Sequence, residues 1–491
     1  MRTRASSAPA ALIPIDATAP EPLYRQIYLG LRDAILSGRL TPASRVPSTR
    51  ALSEDLSVSR NTVLLAFDQL LAEGYLVGMR GAGTRVAGAV PSRLLPTRPK
   101  RTAALRAEGE ISRRAAALLQ LPSDSMAPMV SSQAFRPGIP AIDLFPIDVW
   151  SRTAGRCMRR IPVELLAHGD PRGYLPLRQA LTTHLRTARG VQCQPDQIFI
   201  LSGSQQALEL APRVLLNPGD SAWLEEPGWL GARGGLVLAG AHIVPVPVDS
   251  NGIDVAIGKK RGPAAKLVCV SPSHQYPIGG AMSLPRRIEL LAWAHQHHAW
   301  ILEDDYDSEY RYGGHPLMAL QGLDQNDRVL YAGTFSKTLF PSLRLGYLVV
   351  PVNLVDAFIA VRGYGDQHAP TIDQVILTAF IEEGHYARHV RRMRSVYQER
   401  REAMIGEVAR HLNGRIELVH STTGLHLTGW LAAGLDDRRV SLAAAKVGII
   451  TPPLSRYYVG NKSRQGLVLG YAASTPEAIR AGIRKLASVM G

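Results

Sequence analysis

The stretch 333–347, GTFSKTLFPSLRLGY, sets Lys337 between Ser336 and Thr338, with Arg344 seven residues further on. A lysine amine condenses with an aldehyde to give a Schiff base. Hydroxyls and a guanidinium close to it suit an anion. The combination points to a covalently held aldehyde cofactor that carries a phosphate, with Lys337 as its catalytic amine.

Pyridoxal 5'-phosphate (PLP) is such a molecule, and it needs three further groups: a carboxylate against the pyridine nitrogen, an aromatic face over the ring and a cradle for the phosphate. AWILEDDYDSEY offers the carboxylate, because the apolar run 299–302 ends in Glu303, Asp304, Asp305 and Tyr306. Asp304 would keep the ring nitrogen protonated, and Tyr306 has a hydroxyl for the cofactor's phenolate oxygen. FILSGSQQALEL offers the cradle: a strand ends at Leu201 and a helix starts at Gly203, Ser204 and Gln205. Free N–H groups at a helix start bind phosphate, and Ser336 and Arg344 could complete the site. WLEEPGWLG offers Trp229 as the aromatic face. Taken singly these are a solvated acidic turn, a capped helix and a core tryptophan. Their order and spacing together make the cofactor site.

Such groups must stand at the edge of a sheet. From about residue 129 onward, short β-rich apolar runs (QIFILSG, KLVCVSP, AWILEDD, DRVLYAG) alternate with helical patterns such as 284–298. This alternation predicts an α/β domain with a mostly parallel sheet covered on both faces. Ligands of such sheets bind beyond the carboxyl ends of the strands, where these runs turn polar.

The N-terminal part has a different pattern. In EPLYRQIYLGLRDAILSG, Leu23, Ile27, Leu31 and Ile35 recur every four residues between Pro22 and Gly38, which predicts an amphipathic helix. Ser48 then caps a short helix over 49–56, and Ser59 caps a second, after a turn at Ser57–Val58. Val63, Phe67 and Leu70 form the inner stripe of the second helix, and its first turn exposes Arg60, Asn61 and Thr62. Two helices joined by a tight turn, with donors at the start of the second, are what helix-turn-helix recognition of DNA requires. GYLVGMRGAGTRV reads as a two-stranded wing with Arg80 and Arg85 flanking its tip. The candidate DNA-binding set is Arg45, Ser48, Thr49, Arg50, Ser59, Arg60, Asn61, Thr62, Arg80 and Arg85. A three-helix packing module with a solvated face is the plainer alternative, and the basic wing argues against it.

The domain reading is a tail over 1–18, a winged helix-turn-helix over 19–87, a basic Pro/Ala/Arg-rich linker over 88–128, and the α/β domain with the cofactor site over 129–491, for which the resemblance given below implies effector sensing and dimerisation. A formal charge of +15 over 491 residues points to an anionic partner. Cys157, Cys193 and Cys269 stand far apart with no CxxC, which argues against disulfides and a zinc cluster and suits the cytosol. No uncharged run approaches the ~20 residues of a membrane span.

RVPSTRALSEDLSVSRNTVLLAFDQLLAEGYL and the wing RGAGTRV resemble the winged helix of the GntR family. Residues 129–491 resemble fold-type I aminotransferases, with a smaller C-terminal α+β subdomain. That resemblance implies Asp304 as pyridinium partner, Lys337 as the cofactor lysine, and a substrate-carboxylate arginine near the C-terminus. Arg464 in SRQGLVLGY matches that position, and Arg456 matches it less well. One departure stands out. Aminotransferases usually carry an Asn-Pro-x-Gly turn whose asparagine meets the phenolate oxygen; here SHQYPIGG has Tyr276 at that place, and His274, Gln275 and Tyr276 are all candidates to substitute.

The whole arrangement, with SPSHQYPIGG, LEDDYDSEYRYGG and GTFSKTLFPSLRLGY, resembles the MocR/GabR family of transcriptional regulators. The resemblance implies a head-to-tail homodimer that binds promoter DNA and senses an amino compound or PLP itself. A working aminotransferase with a DNA-binding extension is the rival expectation, and an architectural DNA binder with a dimerising C-terminal domain is a third.

Overall fold

The computed structural model describes residues 13–79, 83–88, 111–122, 134–313, 317–460 and 464–490. The chain divides into two compact units, Met1–Glu110 and Ile111–Gly491.

The first unit has helices Leu23–Leu36, Thr49–Asp55 and Arg60–Ala72, then strands β1 (Leu76–Met79) and β2 (Gly83–Val86) paired antiparallel. Ile27, Leu31, Ile35, Leu52, Val63, Phe67, Leu70, Leu76 and Val86 form one buried core. Both expected caps are present. Ser48 Oγ accepts from Ala51 N and Ser59 Oγ accepts from Thr62 N, each at 3.1 Å. Ser57 takes φ 53° to make the turn between the helices. Val46 N donates to Thr84 O and Val86 N to Ser44 O, so the wing is stapled to the segment entering the second helix.

The second unit is built on an eight-stranded sheet. Its strands are β3 (Ile198–Leu201), β4 (Ser221–Glu226), β5 (His242–Asp249), β6 (Gly252–Ile253), β7 (Leu267–Val270), β8 (Trp300–Asp305), β9 (Val329–Thr334) and β10 (Gly346–Val349). Their spatial order is β3-β10-β9-β8-β7-β4-β5-β6. The sheet is mixed rather than all parallel: the β5-β4-β7-β8-β9 run is parallel, while β10 lies antiparallel to both β9 and β3. The connection 335–345 explains the reversal, since it is too short for a crossover helix, which takes a dozen or more residues. Along β10, Tyr347 and Val349 enter one core cluster and Leu348, with Val350 just beyond the strand, another, so both faces are covered.

A three-stranded antiparallel sheet, β11 (Ile416–Leu418), β12 (His426–Leu431) and β13 (Gly466–Gly470), forms the C-terminal subdomain with helices Asp437–Lys446 and Pro476–Val489. Within the stretch read from composition as a linker, Arg113–Leu119 is helical, and Arg114 Nη1 donates to Leu238 O at 3.1 Å. Alanine and leucine favour that helix, and Ser112 caps it through Ala115 N. The tail over 1–12, most of the remaining linker, and Arg80 lie outside the described residues. Among the described residues, no helix is long and apolar enough to cross a membrane.

Candidate cofactor site and DNA-binding face

β8 carries three successive carboxylates, and strand alternation sends them to different places. Glu303 accepts from Leu320 N and Gln321 N at 2.9 Å. Asp305 is bound by Arg189 Nε at 2.8 Å and by the Tyr331 hydroxyl at 2.5 Å. Only Asp304 turns to the cavity. It is buried, and its Oδ1 has no hydrogen-bond partner. Burial, and then the Asp305 charge, push its carboxyl up to about 7, against the opposing pull of Lys337. A buried carboxylate oxygen without a partner is costly unless a cation meets it. The protonated ring nitrogen of PLP is such a group.

β9 ends at Thr334 and delivers Ser336 and Lys337 to the same edge. Lys337 Nζ donates to Gly138 O at 2.8 Å. Burial lowers its affinity for the proton, while Asp307 and Asp304 act the other way. A lysine with a lowered pKa is a better nucleophile toward an aldehyde.

Gly203, at φ 95°, is the N-cap of helix Ser204–Leu215 and brings no side chain to satisfy its first turn. Arg344, itself at φ 52°, completes the cradle: a Cβ added to Gly203 would lie 3.4 Å from its Nη1. Free N–H groups, a hydroxyl on Ser204 and a guanidinium fit a phosphate. Gln205 Nε2 donates to Gly231 O at 3.0 Å, tying this helix start to the next helix, Leu230–Ala239. Trp229 caps that next helix, and its ring meets Tyr276 edge-on at 4.9 Å.

These groups enclose a cavity of about 210 Å³. All eight residues expected from the sequence to hold the cofactor, Ser204, Gln205, Trp229, Asp304, Tyr306, Ser336, Lys337 and Arg344, line it. Of His274, Gln275 and Tyr276, only Tyr276 is on the wall. Gln275 is spent on main-chain partners, donating to Tyr276 O and to Pro227 O of the segment after β4 and accepting from Ile278 N. His274 lies behind Tyr306.

Arg464 is not among the lining residues. Its guanidinium stacks 4.0 Å from the Trp430 ring centroid and 3.6 Å from Glu417 Oε2. It precedes β13 on an exposed stretch, where a planar cation is best held by an aromatic face. Arg456 lies 5.7 Å from the Tyr457 ring.

Sequence reasoning missed Gly138, Asp307, Leu425 and His426, which also line the cavity. Asp307 was within reach as the next carboxylate of DDYD. Gly138, Leu425 and His426 come from distant segments with no chemical motif.

On the winged helix, Arg45, Ser48, Arg50, Ser59, Arg60 and Asn61 are exposed, and Thr49, Thr62 and Arg85 are half-buried. Arg85 Nη1 donates to Ala43 O at 2.9 Å, and Arg50 Nε is 3.3 Å from Glu54. Arg60 and Asn61 open the second helix of the pair, where base edges are read.

Residues 23–86 match the family described as bacterial regulatory proteins, gntR family, and residues 147–486 match aminotransferase class I and II. A probable rhizopine catabolism regulatory protein, MocR, of Rhizobium meliloti is 39% identical over 477 residues, covering 97% of this chain and 95% of that one. The pyridoxine biosynthesis transcriptional regulator PdxR of Corynebacterium glutamicum is 30% identical, covering 96% of each. Among solved structures, the α-aminoadipate aminotransferase LysN of Thermus thermophilus, complexed with N-(5'-phosphopyridoxyl)-L-leucine, superposes with a TM-score of 0.68 at 26% identity, over 77% of this chain and 94% of that one.

A GntR-type winged helix ahead of a fold-type I aminotransferase domain defines a class of transcriptional regulators whose second domain takes pyridoxal phosphate as cofactor. Within that class the chain belongs to the MocR/GabR family.

Proposed function

We propose that this regulator binds promoter DNA as a head-to-tail homodimer in the cytoplasm, and that its affinity for DNA is set by an amino compound, or by PLP itself, at the Lys337 cavity. The observation that carries the reading is the buried, unpartnered Asp304 oxygen facing the same cavity as Lys337 and the Gly203–Ser204 cradle, in a chain that also has a winged helix.

The cofactor supplies an aldehyde that condenses reversibly with a primary amine. Lys337 would be the resident amine, Ser204, Ser336 and Arg344 would hold the phosphate, Asp304 would pair with the ring nitrogen, and Trp229 would cover the ring. An incoming amine would compete with Lys337 for that aldehyde, and Gly138 O is placed to hold the Lys337 amine when it is free. Arg464 is the candidate for an effector carboxylate, and reaching one requires it to leave Trp430. MocR is named for catabolism of a small molecule and PdxR for pyridoxine biosynthesis, so relatives point to both kinds of signal.

Binding at the cavity changes DNA affinity only through its differential affinity for two arrangements of the protein. The expected coupling is about 1–3 kcal/mol, roughly 5- to 150-fold, and must be equal in both directions. The test is a pair of titrations, candidate amines with and without operator DNA, and DNA with and without the amine. Equal factors, abolished in Lys337→Ala, support covalent exchange as the trigger. Coupling that survives Lys337→Ala makes PLP occupancy or a non-covalent ligand the signal. Sustained turnover of an amino donor and a keto acid, with no effect of either on DNA binding, would favour the enzyme reading instead.

A further inference from the structure

Tyr306 lines the cavity next to Asp304, but the residue that holds its hydroxyl does not. His274 is fully enclosed behind it. His274 Nδ1 stands 2.9 and 3.0 Å from the two carboxylate oxygens of Asp307 and 3.0 Å from the Tyr306 hydroxyl. A ring nitrogen carries one proton at most, and a carboxylate only accepts. The proton on Nδ1 is therefore donated to Asp307 and shared with the Tyr306 oxygen. Tyr306 cannot return its own proton to an N–H, so that proton must point elsewhere. The open direction is the cavity.

The imidazole has no freedom to do otherwise. Gly424, at φ 90°, lies against it: a Cβ there would fall 1.9 Å from His274 Cε1. Gly279, at φ 94°, closes the other side, with a Cβ position 3.2 Å from Nε2. Nε2 is buried without a hydrogen-bond partner, so Asp307 alone selects the tautomer.

We propose that His274, fixed by Asp307, is a positioning residue that turns the Tyr306 hydroxyl proton into the cavity, toward the phenolate oxygen of the cofactor. This rests on the reading that PLP occupies the cavity with its ring nitrogen at Asp304. It explains how the protein manages without the asparagine that its Tyr276 replaces, since the Tyr276 hydroxyl is itself 3.0 Å from that of Tyr457. Burial holds the Tyr306 phenol well above its ordinary value, so it stays a donor throughout the working range. The titratable groups around the pair are Asp304 and Asp307 from the β8 end, Glu225 from β4, Tyr276 from the same turn, Lys337 after β9, and His426 from β12. Burial pushes His426 down to about 3, which keeps it neutral.

A hydrogen bond donated to the phenolate stabilises its negative charge and competes with the neighbouring imine proton. Losing it raises the pH at which the visible absorption of the bound cofactor changes. The experiment follows that midpoint in the full-length, PLP-loaded protein. Tyr306→Phe should raise it by about one unit, as expected for a hydrogen bond to a charged group. His274→Leu should raise it nearly as far, and the double variant no further than Tyr306→Phe alone. His274→Asn, whose amide nitrogen takes the place of Nδ1, should keep the wild-type midpoint. If His274→Leu does not fold, His274→Gln serves, since its nitrogen reaches the Nε2 position and should shift the midpoint upward. A shift in Tyr306→Phe without one in the His274 variants, or full additivity in the double variant, overturns the proposal and leaves the cofactor reading standing. No shift in Tyr306→Phe overturns the proposal together with the ring placement that sets the phenolate oxygen beside Tyr306.

Discussion

Lys337 Nζ is held by the carbonyl of Gly138, 2.8 Å away and 199 residues distant in the chain. Gly138 adopts φ 76°, and a Cβ there would lie 3.0 Å from the amine. Lys337→Ala should abolish covalent attachment of the cofactor while ring and phosphate contacts retain part of the affinity. Borohydride reduction and peptide mapping of the wild type should label Lys337 alone; a label elsewhere refutes the assignment. Gly138→Ala should weaken cofactor binding although position 138 bears no functional group, because the left-handed backbone costs about 1–2 kcal/mol for an L-residue and the methyl displaces the amine.

Asp304 and Asp305 should separate cleanly. Asp304→Asn removes the countercharge of the ring nitrogen and should weaken PLP binding with little loss of apoprotein stability. Asp305→Asn strands Arg189, whose side chain is buried with that of Asp305. Breaking such a pair costs about 3–5 kcal/mol, so its melting temperature should fall while PLP affinity per folded molecule holds. Equilibrium dialysis with PLP beside thermal melts checks both, and the reverse pattern would mean that Asp305 faces the ring.

The pH dependence of stability has a definite sign. Burial raises the folded Asp304 carboxyl from 3.8 to about 7. Between those values the unfolded chain has released a proton that the folded apoprotein keeps, so apoprotein stability falls as pH rises through the window. Glu225, raised to about 8, and Glu303, raised to about 7, add the same trend. PLP bound with its ring nitrogen at Asp304 would pair the carboxylate with a cation and remove its share. The melting difference between PLP-loaded and apoprotein should therefore widen from about pH 4 to 7. In Asp304→Asn it should be much flatter, and an equal slope in that variant would assign the effect to other groups.

DNA binding should weaken steeply with salt, each neutralised phosphate adding about −0.9 to the log–log slope. Arg45→Ala and Arg50→Ala should lower affinity evenly across sequences and reduce that slope. Arg60→Ala and Asn61→Ala should cost roughly 1–3 kcal/mol at single base positions and relax specificity there. Arg85→Ala should also loosen the wing, because its guanidinium holds Ala43 O. Fluorescence anisotropy on operator variants at several salt concentrations distinguishes these classes; a uniform loss for Arg60→Ala would make it a phosphate contact.

Much of this was determined by residue type and order. Caps at Ser48 and Ser59, apolar stripes every three to four residues, and β-rich runs ending in polar groups are local signals, and local sterics and hydrogen bonding enforce them. They determined the winged helix, the α/β sheet and the eight residues that meet at one cavity, and alternation along β8 already turns Asp304 away from Glu303 and Asp305. Long-range packing decided the rest. The reversed β10 follows from a connection too short to cross over. Gly138, Leu425 and His426 reach the cavity only when distant segments close over the sheet edge. The choice among His274, Gln275 and Tyr276 could not be read from SHQYPIGG, because it depends on which side chains Asp307, Glu225 and Tyr457 present to that turn. Sequence spacing carries a residue's chemistry, but hydrogen-bond partners and burial are properties of the folded surroundings.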